Sequence, residues 1–478
     1  VAEPAASSPS GDDAPSGHPR VRAGAVPRTR GLGENGVEML RARVLAALLA
    51  AFLLLAFAAC SPRTAPGTPT EVPPSPTPTA PAPSPETATD ALEAVIARVA
   101  ELRGLPAPAT VDVRFVARRD LPALLDSLIT PEERELFGLV TALYRLLGHL
   151  GPEQDYLGVL QAFSSTAVLG LYSPDHDALW VVTETGDPLS PAELSAEEME
   201  TLVHEVLHAV QDAAFDLGAS YREVMWDLDR SLAWTAVVEG DAVFHSGEYR
   251  RRYLLLPSES FVSWTLAGAR SQIGDVPASI IRELYFPYTV GASWAEWIVD
   301  TLGQEGLDRF LAEPPPATSV IIHRELATRD WRPVEVSEPD LTAALGPEWE
   351  RVWGGHFGEF QLRNLLQLGV DGEEARRAAA GWAGDAFALY SDGSRHLAAF
   401  DLRFERADDA AEAFRTLRAM LERRGTVTPT SETSLLARTA DGREFAALAR
   451  GPQVLMLVAN AEGFVPVLLD VLASASTP

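Results

Sequence analysis

The chain has 478 residues, 46% of them hydrophobic, and a formal net charge of −28, with 67 acidic residues against 39 basic ones, all of them Arg. Such an acidic balance argues against a nucleic-acid partner, because phosphate binding needs a basic surface. A single cysteine, Cys60, excludes disulfides and thiolate-held metals from everything downstream.

Residues 1–38 are rich in Ala, Pro, Gly, Ser and Arg, show no apolar periodicity, and read as disordered or as an untranslated stretch ahead of Met39. Residues 39–60 have the anatomy of an export signal: Arg41 and Arg43, an apolar run from Val44 to Ala59, then Cys60. The run is about 16 residues, short of the ~20 that span a bilayer. Ala58-Ala59-Cys60 resembles a lipobox, with Phe57 where Leu is usual, which implies a lipid on Cys60 and an extracytoplasmic protein anchored to the cell membrane. Residues 61–90 are Pro/Thr/Ser-rich and too poor in apolar side chains to bury anything, so they read as a tether.

The folded part is expected from about residue 91. Thr89 to Leu105 has the periodicity of an amphipathic helix, Val111 to Ala117 that of a strand, and Pro131 to Leu150 that of a helix with Leu136, Leu139, Leu143, Leu146 and Leu147 inward. Ala167 to Tyr172 and Leu179 to Thr183, flanking a turn at 173–177, predict a hairpin. Ser190-Pro191-x-Glu193 and Ser195-x-x-Glu198 both fit a capping box, so a helix should begin between 191 and 196.

That helix carries His204-Glu205-Val206-Leu207-His208, an H-E-x-x-H pattern beside an apolar stripe of Met199, Val203, Val206, Leu207 and Val210. With nine His in 478 residues, the pattern should arise by chance in roughly one such chain in a hundred. Residues four apart on a helix point the same way, so His204 and His208 can bind one Zn²⁺, with Glu205 turned about 100° aside to take a proton from water. A catalytic zinc normally takes three protein ligands. Glu239, alone among Leu232, Ala236 and Val243 in an apolar helix expected to reach Leu255, is the best third; Asp241 and His245, on roughly the opposite face, are the alternatives.

These motifs resemble the gluzincins, zincin peptidases with two His and a distant Glu as zinc ligands. The resemblance implies Glu205 as general base, His204, His208 and Glu239 as ligands, and an edge strand beside the metal helix that binds an extended peptide. H-A-V-Q-D after the motif, E239-G-D-A, and Phe286-Pro287-Tyr288-x-x-Gly291 are also similar to bacterial secreted lipoproteins of poorly defined function, across roughly residues 160–390. The chain departs from the thermolysin-like pattern in lacking E-x-x-x-D after Glu239.

Helices are then expected over 276–285, 290–302 and 304–312, divided by Pro287 and Gly303. Tyr285, Tyr288, His323 and His356 are the polar residues there that could reach a cleft, and Tyr288 is the candidate for stabilising an oxyanion. Past 387, strands at 387–390 and 396–404, a helix at 407–423, a hairpin around Asp441-Gly442, a strand at 454–459 and a helix at 462–474 are expected. The expected fold class is α+β: a mainly helical zincin-like metallopeptidase domain with a small antiparallel sheet (91–383), then a small α+β domain (384–478). The expected function is a surface-tethered zinc peptidase acting on a peptide or protein. The alternatives are a non-catalytic exported metal-binding or interaction module, or a zinc hydrolase of another acyl bond.

Overall fold

The structure, a computed structural model, describes residues 85–167, 170–187, 191–255 and 276–460, with positions 462–463, 465 and 469–471 beyond. The expectations for 1–38, the export signal with Cys60, most of the tether, Ser190 and much of the last helix lie outside the described residues. Among the described residues no helix is long and apolar enough to cross a membrane.

Helix α1 (Pro85–Arg103) begins within the stretch expected to be tether, and Gly104, at φ 77°, turns the chain out of it. Strand β1 (Asp112–Ala117) and helices α2 (Leu121–Leu128), α3 (Pro131–Leu147) and α4 (Tyr156–Ala167) follow. Helix α3 opens on a capping box: Glu133 N donates to Thr130 Oγ1 (3.2 Å) and Thr130 N to the Glu133 carboxylate (2.6 Å). It closes at Gly148, φ 89°, short of the expected Leu150, because only a left-handed residue there lets the last carbonyls find partners.

Strands β2 (Gly170–Ser173) and β3 (Ala178–Thr183) form the expected hairpin. The sheet order is β1-β3-β2, with β1 parallel to β3, so this first sheet is mixed where an antiparallel one was expected. Parallel neighbours need a long crossover, and α2 to α4, whose helices intervene between β1 and the hairpin, provide it.

Next come α5 (Ala196–Phe215), α6 (Leu217–Val224) and α7 (Leu228–Tyr249), which runs on as a π-helical turn to Leu254. Helix α5 is capped by Ser195 and Glu198, the second of the two predicted boxes. Its Val203, Val206, Leu207 and Val210 pack on Val95 and Val99 of α1 and on Leu179 and Val181 of β3. Helix α7 is buried from Ser231 to Val243 on all its faces, as a central helix apolar all round should be.

Helix α8 (Ala278–Phe286) does not stop at Pro287; the chain widens into a π-helical turn, Pro287–Gly291, and continues as α9 (Ala292–Ala312). Gly303, at φ 73°, breaks α9 where the division was expected.

After α10 (Ser319–Ile322) and α11 (Thr342–Leu345) come β4 (Glu350–Gly355), α12 (Gly358–Leu366), α13 (Gly372–Ala379), β5 (Trp382–Ser391), β6 (His396–Phe404), α14 (Ala407–Arg424), β7 (Gly425–Pro429), β8 (Ser434–Thr439), β9 (Glu444–Arg450) and β10 (Gln453–Ala459). The strands make one antiparallel sheet, β4-β5-β6-β10-β9-β8-β7. It starts at Glu350, ahead of the boundary expected at 384. One apolar core runs from Leu121 in α2 through Trp234 in α7 to Val458 in β10, so the sheet and the helices are stabilised together.

Candidate metal centre

The site lies where α5 crosses α7. His204, Glu205 and His208 are fully buried, and Glu239, midway along α7, is 1% exposed. His204 Nε2 stands 3.1 Å from His208 Nε2 and 3.2 Å from Glu239 Oε2, and His208 Nε2 stands 3.5 Å from the same oxygen. Three ligands of a tetrahedral zinc, each about 2.0–2.2 Å from the ion, are about 3.3–3.6 Å apart. The triad thus converges to within a few tenths of an ångström of what the ion requires, and it is the single group of three or more His, Cys, Asp or Glu found among the described residues with such convergence.

Glu205 supplies the second observation. Both of its carboxylate oxygens are buried and no side chain among the described residues hydrogen-bonds them; only the backbone of Tyr172 on β2 comes near enough to contribute. A carboxylate in that state is costly unless an ion or water meets it. Burial pushes its pKa up to about 8, with His208 opposing and Glu239 adding to the rise. A cation at the triad would bring that value down. Gly170, at the start of edge strand β2, lies against this side chain: a Cβ there would stand 2.8 Å from Glu205 Cγ and 3.0 Å from Thr201 Cγ2. The hairpin's edge strand β2 therefore lies beside α5.

The charges around the triad favour an anionic Glu239. Burial alone would raise its carboxyl, but His208 and His204 hold it down at about 2. Burial lowers His204, while for His208 the burial effect is outweighed by Glu239, Glu205 and Gln211.

Tyr288 reaches the site on the π-helical turn, not on a loop between helices. Its ring centroid is 6.3 Å from that of His204, and its hydroxyl is hydrogen-bonded to Glu239. Burial and then the Glu239 charge push that phenol well above its ordinary value, so it remains a donor. Two glycines permit the approach. A Cβ on Gly240 would lie 2.4 Å from Gly291 O, and one on Gly291 would lie 2.3 Å from Ala236 O. These are the glycines of E239-G-D-A and of Phe286-Pro287-Tyr288-x-x-Gly291, and their role is to let α7 and the turn touch backbone to backbone.

Asp241 and His245 do not ligate with the triad. Asp241 is buried against Arg103 of α1 (2.9 Å) and His245 (2.6 Å), and although burial would raise its carboxyl, these neighbours, Arg103 first, hold it well below the usual range. Tyr285 packs on Phe163, His323 binds Glu359 (2.8 Å), and His356 binds Asp227 (2.5 Å) at the start of α7; all three serve the fold. Sequence reasoning missed Gln211, whose Oε1 is 2.8 Å from His208 Nδ1, and Arg103 and Gln304 behind it. The spacing of three between His208 and Gln211, which puts both on one helix face, is the signal that could have pointed to the first.

Residues 350–467 match a family model described as a domain of unknown function (DUF8575). That span takes in the whole seven-stranded sheet and none of the triad. Neither the curated proteins nor the solved structures yielded a match to the chain.

Proposed function

We propose that this protein is a zinc-dependent hydrolase of peptide bonds, exported and held at the cell membrane by a lipid on Cys60. The observation that carries the reading is the convergence of His204, His208 and Glu239 at 3.1–3.5 Å beside a buried Glu205 that no side chain among the described residues hydrogen-bonds. The peptide substrate rests on the H-E-x-x-H resemblance, and the anchor on the signal and lipobox pattern. A zinc ion held by the three side chains would supply Lewis acidity to an acyl substrate. Glu205 would take a proton from water and pass it to the leaving amine, a role suited to a carboxyl whose surroundings raise its affinity for protons. Tyr288 holds the Glu239 carboxylate; to stabilise an oxyanion, as expected from the sequence, it would have to leave that bond.

One observation favours the alternative of a non-catalytic exported metal-binding module. Among the described residues His204, Glu205, His208 and Glu239 are closed to solvent, and a structural metal needs no opening.

The deciding experiment uses the full chain, zinc analysis and a panel of peptides and esters. Wild type should carry about one zinc per chain, lost in His204→Ala and His208→Ala. Glu205→Gln should keep zinc and fold while losing hydrolysis by 10²-fold or more, on the order expected for a general base. Zinc without hydrolysis of any panel member supports the binding module, and an unchanged metal content in both His variants rejects the site.

A further inference from the structure

Behind the triad runs a circuit of polar groups, buried except at the half-buried Gln304 and Asp308, whose donor and acceptor directions can be read off one by one. It begins at Arg103, 1% exposed on α1, which has donors and no acceptor. Its Nη1 donates to Gln304 Oε1 (3.1 Å), its Nη2 to Asp308 Oδ1 (2.5 Å), and its Nε to Asp241 Oδ2 (2.9 Å). Since Gln304 accepts through oxygen, its nitrogen donates, and it faces His245 Nε2 at 2.8 Å. His245 therefore accepts at Nε2 and carries its proton on Nδ1, which donates to the Asp241 backbone carbonyl (3.0 Å) and lies 2.6 Å from Asp241 Oδ1. Asp241 is thus a carboxylate whose Oδ2 accepts from Arg103, with the His245 N–H beside its Oδ1.

Gln211 comes next. One end of its amide lies 2.8 Å from Asp241 Oδ2 and 3.0 Å from Val238 O. Both are acceptors, so that end is the NH₂, and the other end, 2.8 Å from His208 Nδ1, is the carbonyl oxygen. A carbonyl only accepts, so Nδ1 of His208 must bear the proton. A neutral imidazole has one such proton, which leaves the lone pair on Nε2, the atom that faces His204 and Glu239. Reversing the Gln211 amide would set its oxygen against two acceptors, at the cost of both hydrogen bonds in a fully buried place.

We propose that Gln211 and Asp241, fixed in direction by Arg103, are positioning residues that set the tautomer of His208 and so present its Nε2 lone pair at the triad. The proposal rests on the metal reading for its purpose but not for its geometry. Groups that orient a ligating His ordinarily influence metal affinity 10–100-fold.

The test uses the full chain with ¹⁵N-labelled imidazoles, stripped of metal and held at alkaline pH where imidazoles are neutral, with the His208 signals assigned by their loss in His208→Ala. Long-range ¹H–¹⁵N correlation should show His208 wholly as the Nδ1–H tautomer in wild type. Gln211→Met, of similar size but without the amide, should give a mixture or the Nε2–H form and weaken zinc binding, read by chelator competition, about 10–100-fold. If Gln211→Met does not fold, Gln211→Asn, whose shorter amide cannot bridge His208 and Asp241, should show the same two changes. A wild-type His208 in the Nε2–H form, or a variant that keeps the Nδ1–H form with zinc affinity within twofold, overturns the proposal. If the wild type shows the Nδ1–H tautomer but binds no zinc, the circuit stands and the metal reading falls.

Discussion

Gly240→Ala and Gly138→Ala make the same chemical change in two helices and should change stability in opposite directions. In a helix the exchange normally gains about 0.5–1 kcal/mol, from the backbone freedom that glycine loses on folding. Gly138, on an exposed turn of α3, has nothing within 4 Å of an added Cβ and should show that gain. At Gly240 the added carbon would meet Gly291 O at 2.4 Å, Gly291 C at 2.5 Å and Ala292 N at 3.1 Å, whereas ordinary contact starts at 3.4 Å. The deficit is 3.4 − 2.4, or about 1 Å, and every atom involved is backbone, so only moving α7 away from the Tyr288 turn relieves it. Overpacking of this kind typically costs about 1–3 kcal/mol, which outweighs the propensity gain. Urea unfolding followed by circular dichroism should place Gly240→Ala below wild type and Gly138→Ala above it. A shift of about 1 Å is also enough to stretch the Tyr288 hydrogen bond to Glu239 past its useful range, so zinc affinity should fall with stability in Gly240→Ala alone. Equal or greater stability of Gly240→Ala would refute the close crossing, and with it the account of how Tyr288 is held.

Two further outcomes are expected. His149 is 2% exposed, neither ring nitrogen has a hydrogen-bond partner among the described residues, and burial with Arg282, Arg424 and Arg443 nearby pushes its pKa down to about 3. The unfolded chain protonates this imidazole near pH 6.5 and the folded one does not, so its contribution is intact above that pH and is lost as pH falls towards 3. At pH 5 the loss is about 2 kcal/mol (1.5 units at about 1.4 each). His149→Leu should remove that part of the acid sensitivity in denaturant titrations at pH 7 and pH 5, and an unchanged difference between the two pH values would contradict a neutral buried imidazole. For the anchor, wild type should sediment with membranes and Cys60→Ser should change its processing and partition; a mature N-terminus beginning well before residue 60 would remove the lipoprotein reading.

The parts of the fold that were legible in the sequence are those where a local rule decides the outcome. The capping box at Ser195, the 3.6 period of α3, the hairpin β2–β3 and the break at Gly303 each depend on residues within a few positions of one another. Where tertiary context decides, the reading fell short. Pro287 looked like a stop, but the helix absorbs it by widening. Strand β4, Glu-Arg-Val-Trp-Gly-Gly, lacks the alternation of a half-buried strand, and β7 has a proline and lies at the opposite edge of the same sheet, so neither announced itself. Missing β4 also put the boundary of the last domain at 384, although its sheet begins at Glu350.

The candidate site divides along the same line. His204, Glu205 and His208 are four residues apart or fewer on one helix, so spacing alone sets their directions. Glu239 was legible for a different reason: a carboxylate among apolar neighbours needs a partner wherever the helix goes, and the triad is that partner. The layer behind them was not legible, because it depends on which group donates to which, and that is settled only when α1, α5, α7 and α9 are packed. Arg103 precedes His204 by about a hundred residues and looks in the sequence like any surface arginine at a helix end. It is in fact buried, and its lack of any acceptor is what fixes the direction of Gln304, His245, Asp241 and Gln211 in turn. Asp241 and His245, weighed from the sequence as rival ligands to Glu239, are better understood as members of this circuit. Their place on the far side of α7 from the triad is the reason they cannot ligate, and it is also the reason they can reach Arg103.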